Sequence, residues 1–144
     1  MSKKKRRRKA ERNAAELAAI VGIVLGAALG ALQLQETVSR WSQVPESLFV
    51  IADLTAVLLI TAALTQGVRT GLLSGVIAAI SQFLTLLGFF SYSFGIALAI
   101  YVVPLESLRL LTYPLAGVIG GYVGARIAET RSFKSPGPIR RTDL

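Results

Sequence analysis

Cysteine and histidine are both absent from this 144-residue chain. No disulfide, thiol nucleophile or cysteine metal site can form, and the commonest catalytic base and metal ligand is missing. Charge is scarce through the middle. Between Asn13 and Ala125 the only basic residues are Arg40, Arg69 and Arg109. A soluble domain of this size must cover its surface with polar groups, so the composition argues against an ordinary cytosolic enzyme. Motif reading agrees. There is no P-loop, no GxSxG and no HExxH. The run GVIGGYVG at 117–124 looks like a glycine-rich nucleotide loop, but it has no preceding strand and sits in an apolar stretch. No catalytic residue, cofactor or metal is expected.

What is present is apolar length with basic ends. The chain is 53% hydrophobic, with 16 Lys and Arg against 8 Asp and Glu. Mean hydropathy is +0.58. Residues 1–12 hold eight basic residues and 126–144 hold five. Four apolar segments have roughly the 20 residues that a bilayer crossing needs. They are 17–34, 47–65, 71–90 and 107–128. The expected fold is an all-α polytopic membrane protein with four transmembrane helices. Its parts would be a basic disordered tail at 1–12, a helix bundle at 13–128 and a basic flexible tail at 129–144.

Positive charge sets the expected orientation. Four crossings with both ends inside place 14 basic residues on the cytoplasmic side and leave only Arg40 and Arg109 outside. That makes the cell (plasma or inner) membrane, with both termini cytoplasmic, the expected location. The segment 94–103, FGIALAIYVV, is apolar but spans only about half a bilayer as a helix. Pro104 should stop or kink it. A short helix on the outer face is the favoured reading. A re-entrant hairpin and a six-crossing scheme are the alternatives. A cleaved signal peptide fits the first segment less well, because its apolar run exceeds the usual 7–15 residues.

Small residues recur at helical spacing. Gly22, Gly26 and Gly30 follow Ala14 and Ala18 at intervals of four. Gly71 and Gly75 repeat the pattern before Ala79, and Gly117/Gly121 and Gly120/Gly124 form two overlapping pairs. Such faces let helix backbones approach closely in lipid. Packing within one bundle is the favoured reading, with a homo-oligomer through the first stripe as the alternative.

The polar groups inside the spans are few. Asp53 lies seven residues into the second segment, where an ionisable group is a functional candidate needing a partner. Arg109 is the expected partner, and Glu106 lies one turn before it. Gln82 sits with Ser81 and Thr85 midway along the third segment. Interhelical hydrogen bonding is the favoured reading of Gln82, and the lining of a solute cavity is the other. Thr55, Thr61 and Thr65 are expected to bond back to their own helix. Trp41, Phe49, Phe89, Phe90, Tyr92, Phe94 and Tyr113 should form an aromatic belt at the outer interface.

The run Lys3, Lys4, Lys5, Arg6, Arg7, Arg8 and Lys9 reads as a topogenic anchor that touches anionic lipid headgroups. Like charges should keep it disordered. A nucleic-acid partner is not expected, because an apolar span begins within a dozen residues.

The stretch 66–128 is a glycine-punctuated helix, an apolar segment, then a helix rich in Pro and Gly. It is similar to the substrate-binding subunits of vitamin uptake transporters. That likeness covers under half the chain and carries over no ligand-contacting residue. It implies six crossings and a small-solute role. The residues themselves favour a non-enzymatic structural or accessory subunit of a membrane complex. A small-solute transporter or channel component using Asp53 and Gln82 is the alternative, and a phage-type pore-forming lysis protein is the third reading.

Overall fold

The computed structural model describes residues 3–38, 46–65 and 67–134; within these, the side chains at 3–8, Phe49, Glu106 and Arg109 are among those outside the described set. Trp41 also lies outside the described residues. Every described element is helical. They are α1 (Lys3–Val38), α2 (Glu46–Leu64), α3 (Val68–Phe94), α4 (Ile96–Glu106), a 3₁₀ segment (Ser107–Thr112) and α5 (Tyr113–Lys134). Two of the helices are long and apolar enough to cross a bilayer, α1 over Lys9–Leu34 and α3 over Val68–Phe94, and α2 carries a shorter apolar stretch, Val50–Leu64.

Boundaries follow local chemistry. The α2–α3 turn passes through Gly67, whose carbonyl accepts bonds from the Gly71 amide and the Thr70 hydroxyl. These satisfy part of the first turn of α3. At its other end α3 stops at Gly95, with φ +89°. Only glycine adopts that conformation without a Cβ penalty. Gly95 also opens α4, since its amide bonds to Ser91 O and its carbonyl accepts the Ala99 amide. Pro104 lies within α4 and removes one helical donor. Three residues later the winding tightens to 3₁₀. Pro114 sits in the first turn of α5, where its missing N–H and fixed φ are tolerated.

Close backbone approaches fix the packing order and the directions. Gly22 lies against Ser74 and Ile77, Gly26 against Ala78 and Ser81, and Gly30 against Thr85. Numbers rise together, so α1 and α3 run parallel. Gly71 meets Gly117 and Gly121, while Gly75 meets Tyr113 and Pro114. Here numbers oppose, so α5 runs antiparallel to α3. Gly120 meets Leu58 and Thr61, and Gly124 meets Ala62 and Thr65, so α5 and α2 run parallel. The helices pack in the order α1, α3, α5, α2. In chain order the long helices α1, α2, α3 and α5 therefore alternate in direction. The N-terminal end of α1 and the C-terminal end of α5 share one end of the bundle, here termed the basal end.

The chain between Gly95 and Tyr113 retraces α3. Both α4 and the 3₁₀ segment pack on α3. Their combined rise, roughly 28 Å, equals that of α3 from Gly75 to Phe94. The descending leg is thus one long helix broken at 107–112. This revises the single helix expected over 107–128, because Ser107–Thr112 is 3₁₀ and α5 extends to Lys134. The helix expected at 94–103 is α4, shifted to Ile96–Glu106. The basic run expected to be disordered is helical from Lys3. Lys and Arg are good helix formers, and propagation from an existing helix avoids the nucleation penalty. Residues 135–144 of the expected flexible tail lie outside the described residues.

The core joins all the long helices. Leu25, Leu29, Val57, Ala78, Leu110, Tyr113 and Ala116 form one buried cluster. Large apolar side chains cover the outside as well, including Ile20, Val24, Leu59, Ile80 and Leu115. On α4, Ala99 and Val103 are buried while Ile96, Leu98, Ile100 and Tyr101 are exposed.

Candidate functional site

The polar groups in the bundle interior fall on two levels. At the lower level the Tyr113 hydroxyl donates to the Asp53 carboxylate at 3.2 Å, joining α5 to α2. Tyr113 is 1% exposed. The aromatic belt expected from sequence therefore loses this member. The reason is the 3₁₀ segment, whose tighter winding resets the facing of the first α5 residue. The Tyr113 backbone carbonyl lies against Gly75, and its side chain belongs to the buried cluster rather than the rim. The side chains of Arg109 and Glu106, expected partners of Asp53, lie outside the described residues. Of the remaining belt residues, Phe89, Phe90 and Phe94 stack near the end of α3, with centroids 5.9 and 5.8 Å apart. Tyr92 is 93% exposed.

At the upper level Gln82 Nε2 donates to Gln33 Oε1 at 2.8 Å, across the α1–α3 contact. Both side chains are buried. Sequence reading found Gln82 and missed Gln33. A signal was present. Gln33 lies three residues beyond Gly30, on the small-residue stripe that faces α3. Ser81 adds a second bond across the same contact, from its hydroxyl to Ile23 O at 2.9 Å.

Two buried acceptors, Ser74 Oγ and Gln82 Oε1, have no hydrogen-bond partner. Ser74, Ala78 and Gln82 lie on one stripe of α3 at intervals of four. The two levels are about 12 Å apart along the helix, and Ala78, Leu25 and Leu110 of the buried cluster lie between them. Leu110 belongs to the 3₁₀ segment, so the helix break stands beside this apolar plug. The threonines bond to their own helices, Thr55 to Ile51 O at 2.7 Å, Thr61 to Val57 O at 2.7 Å and Thr65 to Thr61 O at 2.6 Å.

The glycines that sequence singled out are divided among neighbours in the same chain. Gly22, Gly26 and Gly30 face α3, Gly71 and Gly75 face α5, Gly117 and Gly121 face α3, and Gly120 and Gly124 face α2. The two overlapping pairs of α5 thus serve two different helices. An apolar groove between α2 and α5 is lined by Leu58, Leu59, Ala62, Ala63, Val123 and Gly124.

The basal end carries a ring of charge. Arg12 pairs with Glu16 at 2.7 Å, and Arg126 with Glu129 at 3.3 Å. Arg126 Nε also donates to the Tyr122 hydroxyl at 3.2 Å. These exposed pairs contribute little to stability.

The chain matches no protein family, no curated protein and no solved structure with which it was compared. Its function must be argued from this geometry.

Proposed function

We propose that the chain is a multi-pass membrane protein of four crossings that acts as a non-enzymatic structural or accessory subunit of a membrane complex. The observation that carries this reading is the alternation of helix direction. It brings the basic ends of α1 and α5, with Arg69 at the start of α3, to one end of the bundle. The positive-inside rule assigns that end to the cytoplasm, in the plasma or inner membrane. The subunit role is supported by the way glycine contacts fill the interior, while large apolar side chains cover the outside for lipid or a neighbouring protein. Homo- and hetero-oligomers both fit those outer faces.

The absence of cysteine makes a direct test simple. Single cysteines at Ser2, Gln43, Gln66 and Thr142 should respond to an impermeant maleimide in two classes. Only Gln43→Cys should label from outside intact cells. Labelling of Ser2→Cys or Thr142→Cys from outside would overturn the topology.

The broken helix beside buried acceptors favours a second reading, small-solute transport. Discontinuous helices in membranes often line a path for polar solutes. The Asp53–Tyr113 pair separates the two readings. If it only ties α2 to α5, Asp53→Ala and Tyr113→Phe should both lower the thermal midpoint in detergent, by about 1 kcal/mol of stability for one interhelical bond. If it lies on a solute path, Asp53→Asn should stay folded and abolish flux in proteoliposomes.

A further inference from the structure

The basic run does not end at the membrane surface when the bundle is placed as proposed above, and this inference rests on that placement. Gly22 of α1 stands level with Ser74 to Ile77 of α3, so the first residue of α3, Val68, is level with about residue 15 of α1. Residues 3–9 of α1 then rise roughly 9–18 Å beyond the basal end of α3. By the same register Val68 is level with Gly121, and Arg131 and Lys134 of α5 rise about 15–20 Å beyond it. A headgroup layer is about 5–8 Å thick, and a helix tilt of about 20° barely shortens these reaches. The charges at headgroup height are Glu11, Arg12, Glu16, Arg69 and Arg126, and Glu129 of α5 stands about 12 Å out. The helix positions 3–9 of α1 stand past the level of the lipid phosphates, as do positions 131 and 134 of α5.

The helix electrostatics point the same way. The first turn of α1 contains no acidic residue. Consecutive cations repel one another, and they crowd the end of the helix where the macrodipole is already positive. A polyanion arriving from the aqueous side relieves both effects. A nucleic-acid backbone supplies closely spaced phosphates at that distance, whereas lipid phosphates lie a layer below.

We infer that the overhanging N-terminal helix, assisted by Arg131 and Lys134, is a sequence-independent docking surface for the phosphodiester backbone of a nucleic acid. This differs from the lipid contact expected of the run from sequence.

The test uses the full-length protein in nanodiscs of neutral phosphatidylcholine. A labelled 20-nucleotide single-stranded RNA and a DNA of the same length are titrated at 50–200 mM salt and followed by anisotropy. Nine engaged phosphates predict a slope of log K against log salt of about −6, a loss of about 10⁴ across that range. The triple variant Lys3→Gln, Lys4→Gln, Lys5→Gln keeps four cations of the run as an anchor and should reduce the slope by about two. Arg131→Gln with Lys134→Gln should reduce it by about one. A slope shallower than −2, or slopes unchanged in both variants, overturns the inference. So does loss of nucleic-acid binding when a third of the lipid is phosphatidylserine, since anionic headgroups then hold the run. Failure of the protein to enter the discs would instead overturn the membrane placement, and it shows before any titration begins.

Discussion

Gly26→Leu should abolish the folded bundle, while Gly88→Leu on the neighbouring helix should be tolerated. A Cβ at Gly26 would meet the Ala78 carbonyl oxygen of α3 and lie 2.8 Å from Ser81 Cβ. The carbonyl belongs to a helical backbone and cannot rotate away. The remaining leucine atoms would push α1 from α3 along their whole contact, including the Gln33–Gln82 bond and the Ser81 bond to Ile23 O. Overpacking alone costs about 1–3 kcal/mol, and losing the contacts on either side adds to it. Gly88 lies on α3 with nothing within 4 Å of its added Cβ. The two substitutions have the same chemistry and differ only in what they meet. Size-exclusion profile and thermal midpoint in mild detergent are the readouts. Comparable loss in both variants would mean that leucine is harmful for a reason other than the α1–α3 contact. Comparable tolerance would show that the contact is not as close as described.

The second large effect concerns the glutamine pair. Gln82→Leu should destabilise the protein more than the double change Gln33→Leu with Gln82→Leu. Removing one partner leaves a buried amide without its bond, at about 1–3 kcal/mol. The lower part of that range is expected inside a membrane, where interhelical bonds average about 0.6 kcal/mol and reach about 1.7. Removing both partners leaves an apolar contact of similar volume. The double change also removes the Gln33 amide that the single change deprives of its bond to Gln82, so it should restore most of the lost stability. Resistance to unfolding by SDS in the four proteins of the cycle gives the coupling energy. Strictly additive losses would mean that the two side chains do not act on each other.

The expected segments 17–34, 47–65 and 71–90 fall on α1, α2 and α3, of which α1 and α3 are long and apolar enough to cross a bilayer, because hydrophobic length is local information. The fourth is different. Tyr113 and Pro114 mark the start of α5, but the sequence 107–128 is continuously apolar apart from Arg109 and Arg126, and it reads as one helix. The tightening at Ser107–Thr112 follows Pro104 and shifts the facing of every later residue. This is why Tyr113 reads as a rim aromatic and is found in the core against Asp53. Gln33 was missed for a related reason. A neutral amide near the end of an apolar run gives no signal by residue type; only its place on the Gly22–Gly26–Gly30 stripe marks it, and the partner across the contact gives it meaning.

The sequence by itself determined the helical class, the apolar lengths, the small-residue stripes and the concentration of cations at two ends. Each is a matter of composition or spacing along one helix, where lipid and backbone chemistry act on neighbours. Tertiary structure decided which stripe meets which helix. It split the α5 glycines between α3 and α2, joined Gln33 to Gln82 and drew Tyr113 to Asp53. It also decided how far the basic run stands from the bundle, because that height depends on the register between α1 and α3. Register is set by contacts between residues about 50 apart in the chain, and no spacing within one helix encodes it.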